Sequence, residues 1–200
     1  MLYILSARKI ELKYFLKKIK MRYKIHGVDV FTADKLMVVI TGIGKKKVQK
    51  TINIIKQNFA VNSGDIVINA GLAGGFNTHI GETYQIDRII SDSTILFIKN
   101  LRLFYKTGSI YSTNKFTFFN NENGANLIDM EAATVYQELN GLVKEIYIIK
   151  CISDQCYDKE NNITDNLVNF WKKIAFLFNL KKPISRLNME LEKVVRELIG

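Results

Sequence analysis

The sequence predicts an α/β domain built on a largely parallel sheet. Short apolar runs alternate with longer stretches of helical periodicity, the pattern of strand–helix–strand units. The run Leu36-Met37-Val38-Val39-Ile40 is apolar at every position, as in a strand covered on both faces. Three segments that carry Gly, Ser or Asp follow apolar runs directly, where open α/β sheets place their sites.

The elements follow in order. Residues 2–5 read as a first strand, and residues 10–22 as a basic helix after it. Residues 28–32 and 36–40 read as two strands joined by a short turn at Ala33-Asp34. Residues 45–59 are a helix, with Val48, Ile52, Ile55 and Phe59 on one face. The next strand, 66–69, is expected to end in a Gly-rich loop. Residues 84–90, 95–98 and 109–113 read as extended, 128–139 as helical and 146–151 as a strand. Two helices, 164–178 and 184–198, follow on either side of Lys181-Lys182-Pro183. Phe170, Trp171, Ile174 and Phe178 give the first of them a core-facing side. The second alternates charges and reads as an exposed amphipathic cover. No internal repeat and no linker rich in Pro, Gly or Ser divides the chain, so residues 1–200 are read as one domain.

Composition narrows the class. With 48% apolar residues in 200, the chain can fill one core and is not a disordered chain. A single Pro and 12 Gly exclude collagen-like sequence. No stretch approaches the roughly 20 apolar residues of a membrane span. The start, Met1 to Leu5, is too short for a secretory h-region and is followed by Arg8 and Lys9. A soluble cytoplasmic protein is the expectation. Two cysteines, Cys151 and Cys156, do not make a disulfide framework, and two histidines, His26 and His79, give a zinc site little material. No metal and no organic cofactor are expected. The net charge of +10 admits an anionic partner, such as nucleic acid, a membrane surface or phosphate. The lysines are scattered over helix surfaces, however, so a solvated basic face is expected in place of a nucleic-acid site.

Four segments could carry chemistry. Thr41-Gly42-Ile43-Gly44-Lys45 lies between a strand and a helix. It is either a simple turn or a helix N-terminus open to an anion. It lacks the spacing of a Walker A loop. Asn69-Ala70-Gly71-Leu72-Ala73-Gly74-Gly75 lacks the first Gly of a dinucleotide fingerprint. Its glycines suit a backbone passing close to a ligand or to another stretch of chain. Asp129-Met130-Glu131 starts a helix, where acidic residues also serve as caps. Ile152-Ser153-Asp154 follows an apolar strand and either caps it or presents a carboxyl group at the mouth of the sheet.

In this order the four segments resemble the nucleoside phosphorylase and nucleosidase superfamily. Within it, the methylthioadenosine/S-adenosylhomocysteine nucleosidases are the nearest branch. The resemblance implies a three-layer α/β/α sandwich around a mixed, largely parallel sheet. It also implies roles for matching residues. Asp154 stands where the family has the acid that protonates purine N7. Glu131 stands where a carboxylate binds the ribose hydroxyls, and Met130 where an apolar side chain lies against the ribose. Glu11, after the first strand in Ser6-Ala7-Arg8-Lys9-Ile10-Glu11, matches the base that activates water. Phe116, in Ser112-Thr113-Asn114-Lys115-Phe116, matches the aromatic residue that stacks on the base. Ser153 matches a residue holding Asp154 and the purine edge, and Ala73 and Gly74 belong to the substrate-binding segment. These residue types suit the reaction. Breaking an N-glycosidic bond puts positive charge on the sugar and negative charge on the base, so separate carboxyl groups serve the two ends.

The chain also departs from the family. Phosphorylases carry an arginine before the Gly-rich segment, where this chain has Asn69; that favours water over phosphate. Leu72 replaces a small polar residue. Fewer acidic residues surround Glu11. The connection from Asp92 to Gly108 is shorter than in the nucleosidases, which have a loop and a helix there that close over the 5′ substituent and help form a dimer. The expected activity is hydrolysis of adenosine thioethers to adenine and a ribose derivative, by a homodimer that binds a small nucleoside. Three alternatives stand beside it. One is a phosphorylase of the same fold. Another is a nucleosidase for a different 5′-substituted nucleoside, futalosine-like or adenosylhopane-like. The third is a non-catalytic nucleoside- or nucleic-acid-binding protein.

Overall fold

The computed structural model describes residues 1–91, 94–101, 106–113, 124–156 and 180–200. Its elements are β1 (Leu2–Ser6), a 3-10 turn (Lys9–Leu12), α1 (Lys13–Leu16), β2 (Met21–Ile25), β3 (Val28–Ala33), β4 (Leu36–Ile40) and α2 (Lys45–Asn58). They continue with β5 (Ile66–Gly75), β6 (Thr83–Ser91), β7 (Thr94–Phe97), β8 (Thr107–Ser112), β9 (Leu127–Asp129), α3 (Ala132–Leu139), β10 (Glu145–Gln155) and α4 (Lys181–Ile199). The helix expected over 164–178, with Trp171, lies outside the described residues, as does Phe116.

The sheet is mixed. Strands β4, β1, β5 and β10 run parallel side by side, and β3 and β2 extend the sheet antiparallel beyond β4. Past β5 the sheet closes on itself: β10 pairs with β6, β6 with β8, β8 with β9, and β9 with the end of β5. Alternation along β1 sets the layers. Leu2 and Ile4 face a core with Leu12, Phe15 and Leu16 and with Leu187, Leu191 and Val194 of α4. Tyr3 and Leu5 face Val48, Ile52 and Ile55 of α2 and Val135 and Leu139 of α3. Helices therefore cover both faces, which is the expected three-layer arrangement. A further cluster, with Ile86, Ile89, Ile110, Leu127 and Ile152, fills the closed side of the sheet.

Four expectations need correction. The helix over 10–22 is only the turn and α1, ending at Leu16; residues 21–25 are strand β2. Half-buried Tyr23 and Ile25 alternate there with exposed Arg22 and Lys24, a period of two. Pairing with β3 through the two-residue turn His26-Gly27, both at positive φ (47° and 84°), decides for the hairpin. The Gly-rich stretch is not a loop but the second half of β5. The helix expected from residue 128 begins at Ala132, because Leu127–Asp129 pairs with both β5 and β8. The last strand runs on to Gln155, so Asp154 lies within it, beyond a register shift between Ile152 and Asp154. The amphipathic cover, in turn, buries Ile184, Leu187, Leu191 and Val194 as its inner face.

The crowding at Gly74 and Gly75 explains two of the glycines. A Cβ at Gly75 would stand 1.9 Å from Thr78 Oγ1, and one at Gly74 would stand 2.5 Å from Cys156 Sγ and 3.0 Å from Ile128 Cγ2. This is where β5 exchanges β1 for β9 as a neighbour, so the chains cross too closely for side chains.

Candidate active site

The carboxyl ends of β1, β4, β5 and β10 bring the acidic residues together. Ser6 ends β1, and its hydroxyl donates to Glu11 Oε2 at 2.8 Å. Glu11 sits on the 3-10 turn just beyond and is buried. Gly71 on β5 leaves room for it: a Cβ there would be 3.1 Å from Glu11 Oε2 and 3.6 Å from Lys150 Nζ. Lys150, on β10 and in register with Gly71, is 1% exposed. Its ammonium donates to Asp129 Oδ2 at 2.8 Å. The same oxygen accepts the Ala132 N–H at 2.9 Å, so Asp129 caps the start of α3 while neutralising Lys150. Asp129 Oδ1 is buried and has no hydrogen-bond partner among the described residues.

Glu131 joins this group from the other side. The sharp turn after β4 places Gly42 and Gly44 at φ of 82° and 85°, conformations that favour glycine. It turns the Gly44 N–H toward Glu131 Oε1, 2.9 Å away. Met130 packs at the same spot, its Cε 3.8 Å from where a Gly44 Cβ would be.

Three buried carboxyl groups thus share one buried ammonium, and their protonation reflects it. Burial pushes Glu11 up to about 7, opposed by the Ser6 hydroxyl and by Lys150. Burial first, and Asp129 second, raise Glu131. Burial alone would lower Lys150, but Asp129, Glu131 and Glu11 outweigh it and hold the ammonium above its ordinary range. A raised carboxyl pKa makes the native state the stronger proton binder. Its stabilising contribution is complete below the unfolded pKa and disappears as pH rises through about 7. Thermal unfolding should therefore occur at a lower temperature at pH 8 than at pH 5, with a smaller difference in Glu11→Gln. An unchanged difference in that variant would exclude Glu11 as its source.

A second group lies further along the same two strands. Asp154 is in register with Gly74, and its Oδ2 is 3.6 Å from the position of a Gly74 Cβ. The Ser153 hydroxyl contacts Asp154 Oδ1 and lies 3.2 Å from the Ala73 carbonyl. From Gly71 to Gly74 the strand advances about 10 Å, comparable to the length of a nucleoside. Cys156 borders this end, and burial, together with Asp154, pushes its thiol up to about 11, which leaves no thiolate nucleophile. The structure thus brings together Glu11 with Glu131, Met130 with Glu131, and Ala73, Gly74 and Ser153 with Asp154.

Two contributors lie outside the four segments that could carry chemistry. Lys150 was visible as the one charge in the apolar run 146–151, a signal that a buried partner must exist. Asn188 was visible as a polar residue on the apolar stripe of α4 between Leu187 and Leu191. Asn188 is buried; its Oδ1 accepts the Phe15 N–H at 2.7 Å, and its Nδ2 donates to the Glu11 carbonyl at 2.7 Å. The last helix thereby clamps the turn that carries Glu11. Asn188→Leu leaves both backbone groups buried without their partner, at about 1–3 kcal/mol for each. Hydrogen exchange should show the Phe15 amide losing protection in that variant. Retained protection would mean that the clamp is dispensable.

No protein-family model matches the chain, and no curated protein matches it significantly in sequence. Solved structures do match. The 5′-methylthioadenosine nucleosidase of Arabidopsis thaliana superimposes with a TM-score of 0.80 at 17% identity, covering 100% of this chain and 96% of that one. The 5′-methylthioadenosine/S-adenosylhomocysteine nucleosidase of Helicobacter pylori, bound to butyl-thio-DADMe-Immucillin-A, gives 0.76 at 18%, covering 98% of both chains. Futalosine hydrolase of Helicobacter pylori gives 0.76 at 19%, covering 98% of this chain and 97% of that one. The chain therefore shares the fold of these nucleosidases and of futalosine hydrolase.

Proposed function

We propose that the chain is a cytoplasmic purine nucleosidase that hydrolyses adenosine thioethers, such as methylthioadenosine or S-adenosylhomocysteine, to adenine and a ribose derivative. The observation that carries this reading is two acidic clusters set alongside strands β5 and β10, one beside Gly71 and Lys150 and one beside Gly74. Glu11, Asp129 and Glu131 surround Lys150 at one end, and Asp154 lies with Ser153 about one nucleoside length away. In this reading the bond from C1′ to the purine nitrogen breaks and its electrons pass to the purine. Asp154 gives a proton to N7. The sugar becomes cationic, and the excess of buried carboxylate over ammonium stabilises it. Glu131 holds the ribose hydroxyls against Met130. Glu11 takes a proton from water as its oxygen bonds to C1′. Asn69 supports water as the nucleophile: it is buried, and its Nδ2 donates to the Leu5 carbonyl, so no arginine stands there for phosphate. The names of the superimposed proteins, nucleosidases and a futalosine hydrolase, support hydrolysis of a nucleoside.

The cytoplasmic placement rests on the sequence; among the described residues no helix is long and apolar enough to cross a membrane. A second copy of the chain is the expected partner, and exposed Ile95 and Phe97 on β7 supply apolar surface for it.

The test is chromatography of purified protein incubated with methylthioadenosine, S-adenosylhomocysteine, adenosine and inosine, with and without phosphate. Adenine released without phosphate is expected. Release only with phosphate, as ribose 1-phosphate, would exclude the hydrolase. If Glu11 is the base, the acid limb of kcat/KM should rise about tenfold per pH unit up to about pH 7. An acid limb at ordinary carboxylate pH would remove Glu11 from that role.

A further inference from the structure

The charge of this chain is unevenly distributed. Residues 1–50 hold 13 of the 29 Lys and Arg and 3 of the 19 Asp and Glu, so they alone account for the net +10. Eight of those cations fall in residues 8–24, where the one acidic residue, Glu11, is buried. Lys18 pairs with Glu192, and Arg22 with Asp29. Arg8, Lys9, Lys13, Lys17, Lys20 and Lys24 have no carboxylate partner among the described residues.

Aromatic rings hold four side chains of this segment. Lys9 Nζ lies 5.4 Å and Arg22 Cζ 5.6 Å from the centre of the Phe31 ring. Lys13 Nζ lies 4.7 Å and Lys17 Nζ 6.0 Å from the centre of the Tyr14 ring. A carboxylate partner cancels the charge of a cation, whereas a ring holds the cation and leaves its charge in place. Lys9, Lys13 and Lys17 follow one another at intervals of four along the 3-10 turn and α1. Phe31 lies on the sheet face that this segment covers, so Arg22 joins them from β2. Strand β2 ends the sheet, with no strand beyond it among the described residues. On α4, which meets the end of α1 through Lys18, Glu190 and Glu192 are matched by Arg186, Lys193, Arg196 and Lys18.

Apolar side chains stand out among these cations. Ile10, next to Lys9, is 41% exposed, and Met21, next to Arg22, is 63% exposed. Nucleic-acid phosphates would use the cations and leave both apolar side chains in water. The surface of an anionic bilayer takes both, the charges at its headgroups and the apolar side chains at the acyl boundary. We propose that this side of the molecule, formed by the 3-10 turn, α1 and β2, is an attachment surface for an anionic lipid bilayer. The attachment is peripheral: the cations meet the headgroups, and Ile10 and Met21 enter the interface. It does not depend on the reaction that the chain performs.

The test is sedimentation of the full chain with vesicles at about 0.1 M salt. One set is phosphatidylcholine alone; in the other, about a third of the lipid is phosphatidylglycerol. The chain should sediment with the anionic vesicles only and be released as salt rises. Replacing Lys9, Lys13 and Lys17 together with Gln should weaken partitioning about a hundredfold, from about fivefold for each lysine near the surface. The same neutralisation at Lys45, Lys46 and Lys50, exposed on α2 at the opposite face of the sheet, should weaken it less than about fivefold. Ile10→Ser with Met21→Ser should weaken it about tenfold at unchanged charge. All these side chains are exposed or half-buried, so the fold should hold in each variant, which thermal unfolding checks. No sedimentation with anionic vesicles would overturn the proposal. An equal loss in the two lysine triples would overturn it too, because net charge alone would then explain the binding. Partitioning unaffected by the Ile10 and Met21 changes would also overturn it, and retention on duplex DNA, lost with the first lysine triple, would then give the surface to nucleic acid.

Discussion

Asp154→Asn is expected to lower kcat/KM for adenine release by about three orders of magnitude, within the range of general acid catalysis. The substitution is nearly isosteric. It keeps an oxygen beside the Ser153 hydroxyl and adds no bulk near Gly74, where Asp154 Oδ2 already lies 3.6 Å from the Cβ position. What it removes is a proton that can be given to the leaving purine. The loss should therefore depend on the leaving group. A riboside that releases nitrophenolate needs no proton, and the variant should hydrolyse it at a rate close to that of the unmodified chain. Turnover of the adenosine substrate at the original rate would remove Asp154 from the acid's role. An equal loss on both substrates would mean that the substitution disturbed the site and not the proton.

Lys150→Met should be the most destabilising single change at the site, by about 3–5 kcal/mol, the usual cost of removing one partner from a buried ion pair. The methionine matches the lysine stem in length, so packing against the sheet is largely kept. The ammonium is lost, and Asp129, Glu131 and Glu11 are left to repel one another in a buried space. They relieve the repulsion by taking up protons, so the variant should approach the unmodified chain in stability at pH 5 and fall well behind at pH 8. Adding Asp129→Asn should recover part of the loss, because the two changes touch the same contact. A pH-independent loss, with no recovery in the double variant, would mean that Lys150 matters only through its stem.

The sheet was legible because most of its strands are apolar runs flanked by helices of clear period, as at 36–40 and 45–59. Residues 10–22 look helical in sequence because both periods are present there and the pairing of β2 with β3 is not local information. The strand character of residues 70–75 was hidden for a different reason. Glycine has low strand preference, and these glycines are set by what lies across from them: Thr78, Cys156 and the carboxyl of Glu11. At the site, the acidic residues stand out in the sequence, and the structure places Glu131 close enough to Glu11 to raise its pKa. Their counter-charge shows in the sequence as the single charge of the run 146–151, but nothing local says which carboxylates Lys150 meets. Asn188 lies 177 positions from the Glu11 carbonyl that it holds, a separation that no local pattern spans.

That separation also sets an order of events during synthesis. The turn bearing Glu11 leaves the ribosome early, and the helix that ties it down leaves more than 170 residues later. Until α4 docks, neither the Phe15 N–H nor the Glu11 carbonyl has its Asn188 partner, and one face of the sheet lacks Leu187, Leu191 and Val194. The base of the proposed reaction is thus among the last parts to be secured. A nascent chain holds the acidic residues but not yet the arrangement, so the proposed activity would begin only once α4 has been made and docked.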